Sequence, residues 1–128
     1  GLNSMAAAYR VKSNYQQALE NQFKSLKIAE EINDKQGVIN NFAGLGMIYR
    51  LQGNYPLALE YQFKSLKIAE EANRKIEMAN GYNNIGNIYN IQGNNDLALE
   101  YYKKSLKIRE EINDKIGIAT SLGSISII

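Results

Sequence analysis

One segment of this chain occurs three times, at a constant spacing. Its copies span residues 18–31 (ALENQFKSLKIAEE), 58–71 (ALEYQFKSLKIAEE) and 98–111 (ALEYYKKSLKIREE). The similarity extends over the whole period, because residues 14–53 are identical to residues 54–93 at 23 of 40 positions. Such a repeat predicts one structural unit per period, in which each unit buries its open apolar face on its neighbours.

Each period carries two helical patterns, which we name helix A and helix B. Both show mostly apolar residues at spacings of three and four, the stripe of a core-facing helix. Helix A is exemplified by residues 76–91, and Gly86 in its middle predicts that two helices cross closely there. In helix B the opposite face is charged, and Glu60 and Lys64 form an i,i+4 pair that recurs in the other copies. The helix B stripe in the second copy consists of Ala58, Leu59, Gln62, Phe63, Leu66, Ala69 and Ala72.

Short polar turns separate the helices. Gly53 and Gly93 suit a positive φ, and Asn54 and Asn94 suit the cap of the following helix. Pro56 falls in the first turn of that helix, where its missing N–H costs nothing. At the other junction an asparagine is the expected C-cap in every copy, at Asn33, Asn73 and Asn113.

The pattern predicts seven helices, over about residues 2–12, 15–33, 37–51, 55–73, 76–91, 95–113 and 116–128. The fold class is therefore all-α, a solenoid of antiparallel helix pairs. We expect one array with units over about residues 1–35, 36–75 and 76–115 and a partial unit over 116–128. The final helix pattern has no helix B after it, so the chain is expected to be a piece of a longer array.

Composition excludes several functional classes. The chain has no histidine and no cysteine, which removes the commonest general base and the thiolate metal sites, so we predict no enzyme activity, no metal and no cofactor. The net charge of +2 is too small and too mixed to indicate nucleic acid. Since no run approaches roughly 18 apolar residues and no signal peptide is visible, we predict a cytoplasmic protein that does not enter a membrane.

The residues of helix A and the following turn carry a family resemblance. The pattern I-G-x-I-Y-x-x-Q-G-N followed by A-L-E-Y resembles the tetratricopeptide repeat (TPR) at Ile85, Gly86, Tyr89, Gly93, Ala98 and Tyr102. The period of 40 exceeds the 34 of the usual repeat, and Gln22 and Gln62 replace the usual aromatic of helix B. This long form is similar to the repeats of Pins-type polarity scaffolds, kinesin light chains and bacterial Rap-type signalling proteins.

The resemblance implies a right-handed superhelix that binds a protein partner on its concave side, which the A helices line. The family geometry then places the partner-binding residues at Asn80, Asn83, Asn87 and Asn90, at Asn40, Met47 and Arg50, and at Arg10. Asparagine is a poor helix former, and such conflicts with local propensity tend to mark functional sites. An Asn amide both donates and accepts, so it can bond the backbone of an extended peptide.

Three interpretations of function remain open. The first is binding of an extended or helical peptide segment, with an acidic peptide as one candidate because Arg10 and Arg50 suit a carboxylate. The second is self-association as a homodimer through the apolar residues of the last helix, Leu122, Ile125, Ile127 and Ile128. The third and most remote is RNA binding by helical repeats, because the chain lacks the stripe of basic residues that such binding needs.

Overall fold

The computed structural model describes the backbone of residues 2–127 and the side chains of residues 14–127. This part of the chain is all-α and contains six helices: α1 (Leu2–Glu31), α2 (Lys35–Leu51), α3 (Tyr55–Glu71), α4 (Lys75–Ile91), α5 (Asn95–Glu111) and α6 (Lys115–Ser126). Each helix packs on the next one along the chain, and α2 also contacts α4. These contacts confirm a helical-repeat solenoid, whereas the handedness of the superhelix stays a prediction.

The prediction of seven helices was wrong at the N-terminal end. The structure has one long helix, α1, where helices over residues 2–12 and 15–33 were predicted. The later turns contain Gly53 and Gly93 at φ values of +77° and +80°, a conformation that costs glycine nothing. The first copy has Ser13 at the equivalent position, and a serine there would be strained. The helix therefore continues through the position of the missing glycine.

The predicted caps are confirmed at the remaining junctions. Asn33, Asn73 and Asn113 all take the left-handed conformation, with φ between +53° and +57°. The N–H of Asn33 bonds to the carbonyl of Glu30 and the next N–H bonds to that of Ala29, the pair of hydrogen bonds that closes a helix C-terminus. Asn54 and Asn94 cap α3 and α5 through side-chain oxygens 3.3 Å from a backbone nitrogen.

The predicted helix B stripe forms the core between consecutive helices. Ala58 and Ala69 are fully buried, and Leu66 and Gln62 are 4% and 2% exposed. The helix A positions Leu45 and Ile85 are also fully buried. Burying one such Leu or Ile contributes roughly 1.5–3 kcal/mol. At two of the equivalent positions in the third copy, Ala98 and Tyr102 are also fully buried, so a core layer forms there as well.

An aromatic cluster that the sequence did not predict joins the two helices in the second and in the third repeat. Tyr61 stacks on Tyr49 and Phe42, with ring centroids 5.6 and 6.1 Å apart, and Phe23 meets it edge-on. Tyr101 stacks on Tyr89, lies tilted by 30° against Tyr82 and meets Phe63 edge-on. Each such pair adds about 0.5–1.5 kcal/mol beyond the buried area. The tyrosines of helix A are thus half-buried cluster members.

The lysines of helix B take part in these clusters. The ammonium of Lys64 lies 4.9 Å from the ring centre of Tyr61, and that of Lys104 lies 5.1 Å from the ring centre of Tyr101. Of the predicted glutamate–lysine pairs, only Glu100–Lys104 lies within ion-pair distance among the described residues, at 3.8 Å. Such cation–π contacts stabilise the second and third copies, whereas the first copy has Asn21 in place of the tyrosine.

Candidate functional site

Two small cavities lie where α4 runs beside α2, with α3 beneath them. We name them the Ser65 cavity and the Met47 cavity, and together their linings form the α2–α4 surface. The Ser65 cavity, of about 60 Å³, is lined by Ile39, Asn40, Ala43, Gln62, Ser65, Glu77, Asn80, Gly81 and Asn84. The Met47 cavity, of about 30 Å³, is lined by Met47, Arg50, Gln62, Asn84, Asn87 and Ile88.

The Ser65 cavity runs from an exposed rim to a buried polar floor. Asn40 and Asn80 are exposed at the rim, whereas Gln62 and Ser65 are only 2% and 4% exposed. The Ser65 hydroxyl donates to the carbonyl of Ile39 at 2.9 Å, which leaves its oxygen able to accept. A hydroxyl, four side-chain amides and the carboxylate of Glu77 thus meet in one recess.

Gln62 connects the two cavities, since it lines both. Its amide nitrogen donates to the carbonyl of Ala43 at 3.1 Å, and its oxygen accepts from the amide of Asn84 at 3.4 Å. A Cβ on Gly46 would lie only 2.7 Å from that nitrogen, so the glycine makes room for the glutamine. Gln62, which replaces the usual aromatic residue of helix B, therefore places a buried amide under the α2–α4 surface.

In the third repeat, where α4 packs on α5, an aromatic ring occupies the position equivalent to Gln62. Tyr102 is fully buried, and a Cβ on Gly86 would lie 2.7 Å from its ring. Its hydroxyl donates to the Oδ1 of Asn87 at 2.6 Å. Burial raises the pKa of the Tyr102 phenol, so the hydroxyl stays protonated and available as a donor.

Arg109 fills the space at the third repeat that corresponds to the Ser65 cavity. Its Nε donates to the Oγ of Ser105 at 3.2 Å and its Nη2 donates to the Oδ1 of Asn80 at 2.9 Å. Its Nη1 pairs with the Oδ2 of Asp114 at 3.3 Å, and the side chain is 11% exposed. A Cβ on Gly117 would collide with this guanidinium. Arg109 was not among the predicted residues, although it breaks the repeat at a position where Ala29 and Ala69 agree.

The structure brings together five of the eight predicted partner-binding residues. Asn40 and Asn80 line the Ser65 cavity, whereas Met47, Arg50 and Asn87 line the Met47 cavity. Two others, Asn83 and Asn90, are partly exposed on α4 but line neither cavity. The side chain of Arg10 lies outside the described residues. Asn84 and Gln62 line both cavities and were not predicted, because the family offsets skip the first and the apolar stripe assigns the second to the core.

Asn83 carries an unusual polar atom. Its Oδ1 is buried, and it has no hydrogen-bond partner among the residues the structure describes. A buried acceptor without a donor costs about 1–3 kcal/mol, and the cost disappears when a donor reaches it.

The residues predicted for self-association spread around α6. Leu122 is 51% exposed, Ile127 is 69% exposed and Ile125 is half-buried, while Ile128 lies outside the described residues. At about 100° per residue, Leu122 and Ile127 lie about 140° apart around the helix axis. Ile116, which is 83% exposed, shares the face of Ile127.

A larger, shallow depression of about 280 Å³ lies away from these residues, where α1 turns into α2. It is lined by Glu30, Asn33, Lys35, Val38 and Ile68 and contains none of the predicted residues. Among the described helices, none is both long and apolar enough to cross a membrane. Residues 14–127 also hold no cluster of three or more His, Cys, Asp or Glu side chains that could bind a metal ion.

Comparison with known families agrees with this architecture. The family model described as Tetratricopeptide repeat matches residues 1–71 and 77–128. The chain therefore belongs to the tetratricopeptide repeat family, whose repeats generally mediate protein–protein interactions. A search of curated proteins found no match to this chain.

Proposed function

We propose that this chain is a protein-interaction module that binds an extended peptide segment of a partner along the α2–α4 surface. The observation that carries the proposal is the position of the two cavities. They follow one another along α2 and α4, and they share a floor at Gln62 and Asn84. Asn40 and Asn80 at the rim offer donors and acceptors that suit a peptide backbone.

Apolar contact is available at the Met47 cavity. The Met47 side chain is 49% exposed and adaptable in shape, a property that suits binding surfaces. Arg50, on the same cavity, supplies a cation for an acidic side chain or a terminal carboxylate of the partner. Asn83 lies on α4 between Asn80 and Asn87, and its buried Oδ1 would gain a hydrogen bond from a peptide N–H.

The test uses fluorescein-labelled pools of randomised nine-residue peptides, titrated with the chain and followed by fluorescence anisotropy. Met47→Ala removes the exposed side chain of the cavity, and we expect it to weaken binding by about tenfold, the loss of one well-placed apolar contact of roughly 1.4 kcal/mol. The matched control is Leu51→Ala, since Leu51 is 53% exposed on the same helix and lines neither cavity. Equal effects of the two changes would contradict the proposed surface.

Self-association is a second candidate, favoured by the exposure of Ile116 and Ile127 on one face of α6. Sedimentation over a hundredfold range of concentration tests it. A dimer that Ile116→Asp dissociates would support it, and a monomer throughout would exclude it.

A further inference from the structure

The third repeat contains a built guanidinium site. Three groups from three helices hold Arg109: the hydroxyl of Ser105 on α5, the amide oxygen of Asn80 on α4 and the carboxylate of Asp114 at the start of α6. Each accepts from a different nitrogen of the guanidinium, and an arginine presents its N–H groups in just such a fixed fork. The repeat thus forms an arginine-binding recess when the arginine comes from its own helix B.

The second repeat has the same recess without the arginine. Ala69 is the repeat equivalent of Arg109 and is fully buried, so a methyl group replaces the long side chain. Ser65, one helical turn before Ala69 on α3, lines the Ser65 cavity, and Ser65 and Asn40 are the repeat equivalents of Ser105 and Asn80.

These equivalents keep the same acceptor chemistry. The Ser65 hydroxyl donates to the carbonyl of Ile39 at 2.9 Å, just as Ser105 donates to that of Ala79 at 2.8 Å, so each oxygen can accept from the cavity side. The Oδ1 of Asn40 accepts one hydrogen bond, from Gln36 at 3.0 Å, and an amide oxygen has capacity for two.

The carboxylate of the recess has moved by three positions. Arg74 occupies the place of Asp114, but Glu77 occupies the place of Gly117 and lines the cavity. Neither ion pair among the described residues involves Glu77. Arg74 itself donates to the amide oxygen of Gln36 on α2. The recess therefore keeps one hydroxyl, one amide oxygen and one carboxylate.

We infer that the Ser65 cavity binds the guanidinium of an arginine side chain in the partner peptide, in the place that Arg109 takes in the next repeat. The inference rests on the proposed peptide-binding function and names the side chain that the peptide must contain. Lysine fits less well, because its ammonium is a compact point charge that does not match a three-way fork of acceptors. Arg50, at the Met47 cavity, would then lie beside an acidic or terminal carboxylate group of the same peptide.

The experiment compares four pools of blocked, fluorescein-labelled nine-residue peptides. The central residue is fixed as Arg, Lys, Gln or Leu, and the other eight positions are randomised without Arg or Lys. We expect the Arg pool to bind the chain at least fivefold more tightly than the Gln and Leu pools, with the Lys pool between them. The preference should fall severalfold in Glu77→Gln, which keeps the shape of the side chain and removes its charge.

The decisive variant copies the third repeat into the second. The triple change Ala69→Arg, Arg74→Asp and Glu77→Gly supplies an internal arginine with its own carboxylate and space, and it leaves the net charge unchanged. We expect this variant to bind all four pools equally, because its own guanidinium fills the cavity. Arg74→Asp alone is the control and should keep the preference. Circular dichroism melting verifies that each variant is folded.

The outcomes separate the two claims. If the pools bind, lose affinity in Met47→Ala and show no preference for arginine, the arginine site is wrong and the peptide-binding function stands. A preference for arginine that survives the triple change would also overturn the site. If no pool binds the unmodified chain, the proposed function fails and the arginine site fails with it.

Discussion

The second and third repeats share one backbone plan and differ in what fills the space between their helices. In the second repeat, Gln62 and Ala69 leave two cavities with polar linings between α2, α3 and α4. In the third repeat, Tyr102 and Arg109 fill the corresponding positions with a fully buried ring and an 11% exposed guanidinium. Space for a ligand thus arises in this array from a few small side chains, while the helices themselves stay the same.

The same difference predicts that the α2–α3 pair and the α4–α5 pair contribute unequally to stability. A buried tyrosine ring loses its dispersion contacts and leaves a large void when it is removed, whereas a buried amide loses mainly hydrogen bonds. The third repeat should therefore be the more stable of the two. The four comparisons below test this contrast, beginning with the largest expected effect.

The two helix B residues give the largest contrast. Tyr102→Ala should lower the free energy of unfolding by about 3–5 kcal/mol, the usual cost of emptying an aromatic position in a core. Gln62→Ala should cost only about 1–3 kcal/mol, mostly for the carbonyl of Ala43 that it leaves without a donor. Urea unfolding followed by circular dichroism measures both. A larger loss for the Gln62 variant would reverse the order we assign to the repeats.

The next largest effect on the free energy of unfolding should come from Gly86 and Gly46, the glycines of helix A. A Cβ on Gly86 would lie 2.7 Å from the rigid Tyr102 ring and 3.2 Å from the carbonyl of Ala98, so Gly86→Ala should cost about 1–3 kcal/mol. A Cβ on Gly46 would lie 2.7 Å from the side-chain nitrogen of Gln62, and moving that side chain away gives up its hydrogen bond to the carbonyl of Ala43. A gain of up to about 1 kcal/mol in helix propensity partly offsets this loss, so we expect Gly46→Ala to cost about 1 kcal/mol, less than Gly86→Ala. Thermal melting of the pair checks this, and equal shifts in Tm would show that both crossings are equally tight.

The N-terminal caps of α6 and α4 should differ by about 1 kcal/mol in their contribution to the free energy of unfolding. Asp114 caps α6 by accepting from the backbone N–H of Gly117 at 3.0 Å, whereas Arg74 at the start of α4 makes no side-chain cap. Arg74→Asp should therefore stabilise the chain by about 0.5–2 kcal/mol, the range for gaining a cap. Asp114→Ala should destabilise it by a similar amount and also release Arg109. Urea midpoints test both changes, and no gain from Arg74→Asp would contradict the assigned cap.

The smallest expected effect is the loss of stability at alkaline pH as buried tyrosines ionise. Burial raises the pKa of Tyr102 above the ordinary value of 10.0, and burial with the nearby Glu60 carboxylate raises that of Tyr61. Between the unfolded and folded pKa values the folded chain binds more protons, so stability present below about pH 10 falls as the pH rises through that window. Titrating urea midpoints from pH 8 to 11 tests this. Tyr102→Phe should flatten part of the decline, and an unchanged slope would contradict the role of that phenol.

Much of the fold could be predicted from the sequence because the same turn and cap residues occur at equivalent positions in successive repeats. The glycine turns at Gly53 and Gly93 and the caps at Asn54 and Asn94 occur twice, and the structure confirms both pairs. The turn predicted between residues 12 and 15 is absent, and Ser13 stands there in place of the glycine that the later turns require.

The candidate site was harder to predict for a different reason. The family offsets identified Asn40, Met47 and Asn80 from their place on helix A. They could not identify Gln62 or Arg109, because these lie on helix B and reach the surface only through the way the helices pack. Periodicity assigns a residue to a face, whereas a cavity depends on the volumes of side chains from three helices.

The most direct test of the central claim is a map of where a peptide binds. The Arg peptide pool, added to ¹⁵N-labelled chain, should shift the side-chain amide signals of Asn40, Asn80 and Asn84, since all three line the Ser65 cavity. The amide of Asn54, which caps α3 away from both cavities, should not move. Shifts confined to α6, around Leu122 and Ile125, would contradict the claim and place the binding surface on the last helix.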